Sequence, residues 1–279
     1  MNRALNFYKT QGIRTNVQEG SFSCFPDDIS SICEILRGIG IHPCDLEEYN
    51  LDLSQERVND RYLKTVQEAL DKVIALKNDP LINSREPKDK IVIVCRHFAM
   101  LLVSVLRSKG IPARCRCGFA TYFSNGWLED HWICEYWNEK EERWLRVDSQ
   151  IHKIKSNIKQ IALIDPTDMP KDIFFPAGVI WRLYRQGFIS GEYCGFSHMN
   201  SQTGAWYIRG NMLRDFFALN KVEYDYLELS KLMDGNYTPS EKELLLLDQI
   251  ADLTVTADDN FDEIIDFYKK NRSLAPKVV

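Results

Sequence analysis

The fold is decided by residues 94–102, which read Val94-Cys95-Arg96-His97-Phe98-Ala99-Met100-Leu101-Leu102. Apolar residues recur at helical spacing from Phe98 onward, and the pattern stops at Gly110 and Pro112, so a helix is predicted to begin near Cys95. A helix N-terminus carries partial positive charge and amide donors, and both favour a thiolate. Arg96 adds positive charge nearby. The sequence therefore predicts Cys95 as a nucleophile at the start of a buried helix.

A strand-rich segment follows this helix and supplies a base and a carboxylate. Residues 113–148 alternate in polarity, with strands predicted at 130–137 and 143–148. A two-residue turn at Glu139-Lys140 would place His131 directly opposite Asp148, where Cβ atoms lie about 4.5–5.5 Å apart. A longer turn would shift this register by a residue or two. Alternation also predicts that Glu135 and Arg146 lie on the same face and form an ion pair.

Each of these residues has a simpler interpretation when taken alone. A lone buried cysteine is usually a small apolar residue, a lone strand histidine is usually structural, and an aspartate at a strand end often caps a turn. Nucleophilic catalysis by cysteine needs a thiolate, an imidazole to accept its proton and a group that holds the imidazole. The ordered set Cys95, His131 and Asp148 supplies all three, which favours the catalytic interpretation.

At these residues the chain resembles the transglutaminase-like superfamily, whose fold is related to that of the papain-like cysteine proteases. The resemblance covers roughly residues 90–150. It rests on three blocks in order, which are Cys95-Arg96-His97-Phe98-Ala99, then Gly110-Ile111-Pro112-Ala113-Arg114, then His131-Trp132-Ile133-Cys134-Glu135 with Trp144 to Asp148. The resemblance implies that Cys95 is the nucleophile, His131 the base and Asp148 the orienting acid. For this site we expect no cofactor and no metal.

The rest of the chain predicts an α+β plan. Helices are expected at 27–37, capped by Asp27 or Asp28, and at 54–77, whereas residues 1–24 look irregular. Beyond the strands, helical stripes occur at 173–186, 205–219, 240–250 and 259–270. The expected fold is a transglutaminase-like, papain-like core at 1–154, with N-terminal helices, a central Cys-bearing helix and an antiparallel sheet. A mostly helical region at 155–279 is expected to pack on this core.

Composition and charge argue against nucleic-acid-binding and membrane-spanning proteins. The chain has 279 residues and a net charge of −5, and no basic run indicates nucleic-acid binding. No apolar run approaches the ~20 residues that cross a bilayer, and the N-terminus has no apolar signal core. Eight cysteines without a dense framework favour reduced thiols in a cytoplasmic protein. The oligomeric state stays open.

The leading functional hypothesis is a thiol enzyme that forms a thioester from a peptide or small amide substrate. Either an amine or water would resolve the thioester, so acyl transfer and hydrolysis by an amidase or cysteine protease both remain open. One alternative is a zinc-binding structural protein in which Cys134, His97 or His131 joins the pair Cys115 and Cys117, although Cys-x-Cys alone is a weak signal. Another is a transglutaminase-like binding module without catalysis.

Overall fold

The protein was analysed as a computed structural model that describes residues 2–151 and 164–277. Its helices are α1 (Asn2–Lys9), α2 (Ile29–Ile39), α3 (Gln55–Val58), α4 (Val66–Leu76), α5 (Cys95–Ser108), α6 (Ala177–Arg185), α7 (Ala205–Leu219), α8 (Glu241–Val255) and α9 (Phe261–Lys270). Its strands are β1 (Gly40–Ile41), β2 (Ile91–Val92), β3 (Ala113–Ala120), β4 (Leu128–Asn138), β5 (Arg143–Val147), β6 (Phe174–Pro176) and β7 (Cys194–Gly195).

The strands form two sheets. β1 and β2 pair in parallel as a small two-stranded sheet. The larger sheet has the order β5-β4-β3-β6, and β7 pairs with β4 in parallel. β4 is antiparallel to β5, and β3 is antiparallel to β6. The expected α+β class, with the cysteine-bearing helix preceding an antiparallel sheet, is confirmed.

Contacts divide the described residues into two compact units. The first takes in residues 2–114, 133–151 and 166–168, and the second takes in 115–132, 164–165 and 169–277. Strands β3 and β4 therefore each contribute residues to both units. The predicted division at 154/155 falls within 152–163, which lies outside the described residues, and it stays a prediction.

In the first unit, helix α5 is buried along almost its whole length. Every residue from Cys95 to Arg107 is buried, and α5 contacts α2 and α4. The α2 helix begins as expected, because the Asp28 side chain accepts a hydrogen bond from the Ser31 amide at 2.8 Å. Because α5 is enclosed along its length, its first residue has a fixed position in the core.

The single helix predicted for 54–77 is wrong, because the chain breaks between α3 and α4. The carbonyl oxygens of Leu63 and Lys64 accept hydrogen bonds from the buried Arg96 guanidinium, at 2.7 and 3.5 Å. Leu63 has ψ 137°, outside the helical region, and these bonds hold the break in place. A new helix then starts at a capping box in which Thr65 and Glu68 bind each other's backbone amides.

The N-terminal 24 residues are not wholly irregular, since α1 occupies Asn2–Lys9. Tyr8, in its last turn, is buried with its ring 5.7 Å from that of Trp144, edge to face. Two helical turns are too short for apolar spacing to identify a helix. The burial of Tyr8 stabilises α1, which local helix propensity alone would not.

The second unit is built on α7, which is buried from Tyr207 to Leu219. Helices α6 and α8 pack against it and against each other, and α9 contacts both α7 and α8. The helical stripes expected after residue 173 are confirmed, except that the first begins later because Phe174–Pro176 form β6. Within the described residues no helix is long and apolar enough to span a bilayer.

Candidate active site

Cys95 is the first residue of α5, as expected. The preceding residue, Val94, is extended with φ −100° and ψ 172°, and it contributes no side-chain cap to the helix. The Cys95 side chain is 6% exposed. The first-turn amides of a helix point along its axis and carry partial positive charge, so they stabilise an anionic sulfur at this position.

The backbone that leads into Cys95 is fixed by the small parallel sheet. β2 ends at Val92, and the Ile93 amide then donates to the Ile41 carbonyl at 2.9 Å. A Cβ atom on Gly40 would lie only 2.5 Å from the Ile93 side chain, so glycine is needed for this close approach. Only Val94 separates this fixed strand from the helix, and the position of Cys95 is set accordingly.

Asp148 follows β5 directly and is 1% exposed. Its Oδ1 accepts hydrogen bonds from the amides of Gln150, at 2.9 Å, and Ile151, at 3.4 Å. Its own amide donates to the Pro166 carbonyl at 2.9 Å. The carboxylate therefore folds its own turn, as aspartates in Asx turns do, and is oriented before any ligand arrives.

A serine hydroxyl ties the Asp148 turn to the cysteine-bearing helix. Ser149 Oγ donates to the carbonyl oxygen of Phe98 at 3.0 Å, and both residues are buried. Arg37 of α2 supports the same turn, because its Nη1 donates to the carbonyls of Ser149 and Ile151 at 3.3 and 3.2 Å. Within the first unit, Asp148 is thus held beside the first turns of α5.

The β4–β5 register differs from the predicted one by two residues. Arg143 pairs with Asn138 and Val147 with Cys134, so one further step of the ladder would set Asp148 opposite Ile133 instead of His131. The turn is longer than predicted. Asn138 Oδ1 accepts from the amides of Lys140 and Glu141, and Glu142 adopts the left-handed region at φ +48°. A shift of two residues keeps every side chain on its predicted face.

The predicted ion pair on that face is confirmed. Arg146 Nε lies 3.2 Å from Glu135 Oε1, and these two residues are opposite each other in the ladder. Arg114 binds the other oxygen of the same carboxylate at 2.7 Å and lies over the Trp144 ring at 4.1 Å. This buried cluster fixes the end of the hairpin that leads to Asp148.

His131 lies on the part of β4 that belongs to the second unit and is 2% exposed. Its imidazole meets the rings of Tyr122 and Phe123 edge to face, with centroids 6.0 and 4.8 Å away. The neighbouring Asp130 accepts hydrogen bonds from Tyr207 at 3.0 Å and Asn211 at 2.6 Å, both on α7. The aromatic rings hold the imidazole plane, and α7 holds the strand that carries it.

The comparisons with known proteins bear on residues 88–149. This stretch, which contains Cys95, His131 and Asp148, matches the model of a family described as the transglutaminase-like superfamily. Members of the superfamily are typically cysteine-based enzymes. No curated protein matches the chain.

A solved structure from Cytophaga hutchinsonii, described as a "putative cysteine protease", is also similar to the chain. The two share 16% sequence identity, and the TM-score is 0.19. The match covers 50% of this chain and 48% of the other, so this chain spans about half the length of that protein.

Within the transglutaminase-like segment, the predicted site residues are distributed over both units. Cys95 and Asp148 belong to the first unit, where Ser149 links their elements, and His131 belongs to the second. The assembly of the three into a triad stays a prediction. Ser149 was not identified from the sequence, although its position directly after Asp148 was the available signal.

Arg96, directly after Cys95, is buried and binds the segment before α4. It is 0% exposed, and Nη2 donates to the Leu63 carbonyl at 2.7 Å while Nη1 lies 2.8 Å from the Met100 sulfur. His97 Nε2 bonds to the same Leu63 carbonyl at 2.7 Å. Burial, with the Arg96 charge next in size, lowers the pKa of His97 to about 3, so this imidazole is neutral near pH 7. Both side chains fix the segment before α4.

The cysteines proposed as zinc ligands are core residues. Cys115, Cys117 and Cys134 are each 0% exposed, and burial raises the pKa of Cys134 well above its usual range. Across residues 2–151 and 164–277, no group of three or more His, Cys, Asp or Glu side chains is arranged to hold a metal ion. Burial also raises the pKa of Cys33 to about 12 and that of Cys194 to about 11. These thiols stay protonated near neutral pH.

Proposed function

We propose that the protein is a thiol enzyme that acts on an amide by nucleophilic catalysis, with Cys95 as nucleophile, His131 as base and Asp148 as the acid that orients His131. The observation that carries the proposal is the position of Cys95 as the first residue of α5, with the Asp148 turn tied to the same helix by the Ser149–Phe98 hydrogen bond. The match of residues 88–149 to the model of the transglutaminase-like superfamily supports the same assignment.

The proposed reaction begins with transfer of the Cys95 Sγ proton to His131. The thiolate attacks the amide carbonyl carbon, the C–N bond breaks, and His131 returns the proton to the departing amine. The product is a thioester on Cys95. A water molecule or a second amine, deprotonated by His131, then attacks the thioester and restores the thiol, which yields an acid or a new amide.

Asp148 acts in this scheme through its charge and its fixed position. Its carboxylate would hold the imidazole in the tautomer that can accept the thiol proton and would stabilise the imidazolium that results. β-strand alternation supports this assignment, because it predicts that His131 and Asp148 lie on the same face of the β4–β5 hairpin. The two bonds that Oδ1 accepts within the turn keep the carboxylate preorganised.

The test is the rate of alkylation of each cysteine by iodoacetamide at pH 7, followed by peptide mapping. We expect Cys95, although only 6% exposed, to react faster than Cys24 and Cys44, which are exposed. Reactivity in excess of exposure indicates a stabilised thiolate. If Cys24 and Cys44 label first, or if the buried Cys134 or Cys194 labels faster than Cys95, Cys95 is not the nucleophile.

A second measurement addresses the chemistry itself. Incubation with a panel of small amides and peptide esters, followed by intact mass spectrometry, should trap a thioester on the wild-type protein and none on Cys95→Ala. Asp148→Asn keeps an oxygen for the Asx turn but removes the charge, and we expect it to lower turnover by about 10⁴-fold. Near wild-type turnover with an unchanged melting temperature would make Asp148 a structural residue and exclude the triad.

A further inference from the structure

A side-chain hydrogen bond attaches the turn that presents Asp148 to α5. Ser149 is 2% exposed, and its hydroxyl donates to the carbonyl oxygen of Phe98 at 3.0 Å. Phe98 is three residues beyond Cys95, about 4.5 Å along the helix axis. Displacement of Ser149 would therefore move the Asp148 turn relative to the first turn of the cysteine-bearing helix.

The other supports of the turn leave this displacement possible. Asp148 Oδ1 binds the amides of Gln150 and Ile151, and these bonds lie inside the turn, so they shape it without fixing it to α5. Arg37 Nη1 joins the carbonyls of Ser149 and Ile151 to α2, at 3.3 and 3.2 Å. Among the hydrogen bonds described for the turn, the Ser149 bond is the one that reaches the first turns of α5.

We infer that Ser149 is a positioning residue for the acid of the proposed triad. Its hydroxyl holds the Asp148 turn at the distance and orientation from the start of α5 that let the carboxylate orient the imidazole while Cys95 carries a negative charge. The inference rests on the proposed function, because without a triad there is no acid to position. Ser149 touches no reacting atom and acts only through Asp148.

The chain contains a matched control for the competing interpretation, in which Ser149 contributes only stability. Ser104, also on α5, is 0% exposed, and its hydroxyl donates to the Thr15 carbonyl at 2.6 Å. It is the same kind of buried hydroxyl-to-carbonyl bond between α5 and another segment. It lies nine residues beyond Cys95, about 14 Å along the axis.

The experiment measures the pH at which alkylation of Cys95 reaches half its maximal rate, on the full chain, with iodoacetamide as the probe. Asp148→Asn should move this midpoint to higher pH, because the imidazolium that pairs with the thiolate loses its stabilising charge. Ser149→Ala should move it in the same direction by a smaller amount. At pH 7 we expect Ser149→Ala to lower the rate about threefold to tenfold, the range that one neutral hydrogen bond provides.

Two comparisons separate a positioning role of Ser149 from a contribution to stability alone. Ser149→Thr keeps the hydroxyl and should retain the wild-type midpoint. Ser149→Val has the shape of threonine but no hydroxyl and should not retain it. If Ser149→Ala does not fold, the Thr and Val pair carries the test. Ser104→Ala should lower the free energy of unfolding, measured in urea, and leave the midpoint of Cys95 unchanged.

Failure of the triad and failure of the Ser149 inference give different results. If Asp148→Asn leaves the midpoint of Cys95 unchanged, the triad itself fails and the inference fails with it. If Asp148→Asn moves the midpoint but Ser149→Ala does not, the triad stands and Ser149 has no positioning role. Equal shifts in Ser149→Ala and Ser104→Ala would also overturn the inference, because the effect would then follow from lost stability.

Discussion

Helices α5 and α7 are both buried along almost their whole length, one in each unit. Buried arginines of both helices bind backbone carbonyls, but α7 also carries a buried ion pair. On α5 the partners are largely backbone carbonyls. Arg107 Nε donates to the carbonyls of Tyr8 and Ala113, and Ser104 and His97 each bind a carbonyl of another segment. On α7, Asp215 binds the charged side chain of Arg116.

The difference matters because carbonyls are neutral and are fixed by the backbone. Loss of a side chain on α5 leaves a carbonyl that water or a neighbour can satisfy, whereas loss of Asp215 leaves a buried guanidinium without its countercharge. We infer that the loss of one of these α5 side chains costs less stability than the loss of Asp215. The stability of α7 depends on a matched pair of charges.

The largest effect that this comparison predicts is for Asp215→Ala. Asp215 is 0% exposed and binds Arg116 at 2.8 and 2.9 Å and the Cys117 amide at 2.9 Å. Its removal should lower the free energy of unfolding by about 3–5 kcal/mol, because one charge of a buried pair then lacks its partner. Urea denaturation followed by circular dichroism measures the loss.

The matched control for this variant is Asp252→Ala. Asp252 pairs with Arg182 at 3.4 Å, but both side chains are exposed, so the loss should stay below about 1 kcal/mol. Similar losses for Asp215→Ala and Asp252→Ala would remove the distinction between the two helices, since the buried pair would then contribute no more than an exposed one.

A second prediction concerns the one titrating group among these α5 side chains. His97 is fully buried with its pKa lowered to about 3, against 6.5 for the unperturbed group. Between these values the unfolded chain binds a proton that the folded chain does not, so stability is full above pH 6.5 and is lost as the pH falls. Between pH 7 and pH 5 this amounts to about 2 kcal/mol.

His97→Gln is the variant that tests this, because its amide nitrogen can still donate to the Leu63 carbonyl but does not titrate. We expect the free energy of unfolding of His97→Gln to change less between pH 7 and pH 5 than that of the wild type. A His97→Gln curve parallel to the wild-type curve would contradict the buried neutral imidazole.

The smallest predicted effects concern helix caps, in which the two units are alike. α4 in the first unit and α8 in the second both begin with a capping box, formed by Thr65 with Glu68 and by Ser240 with Glu243. Thr65→Ala and Ser240→Ala should each cost about 1 kcal/mol in thermal or urea unfolding. A loss several times larger at either position would show that one cap has a tertiary role that its partner lacks.

Local patterns were sufficient to predict the helices that carry strong apolar stripes. The spacing after Cys95 predicted α5, and Asp28 predicted the start of α2, because caps and stripes are set by nearby residues. The break between α3 and α4 was missed because its cause is remote in sequence. The Arg96 guanidinium binds the Leu63 carbonyl and holds the non-helical segment before α4, and nothing near residue 63 indicates this.

The candidate site was also predicted only in part. The face of the hairpin followed from alternation, as the Arg146–Glu135 pair shows, but the register did not. It depends on how the loop closes, and here the Asn138 side chain and the left-handed Glu142 lengthen the turn. Ser149 was missed because the importance of a hydroxyl lies in the carbonyl it reaches, and Phe98 is 51 residues away in sequence.

The interleaving of the two units constrains the order in which the chain can fold during synthesis. Residues 115–132 belong with the second unit, yet they emerge before 133–151, which complete the hairpin of the first. Arg116 and Asp130 must then wait for Asp215, Tyr207 and Asn211 of α7 before their side chains are satisfied. A nascent chain, or a proteolytic fragment that ends near residue 155, carries these polar groups without their partners. Such a fragment is expected to require a chaperone or to aggregate, and the protein should be expressed as an uninterrupted chain.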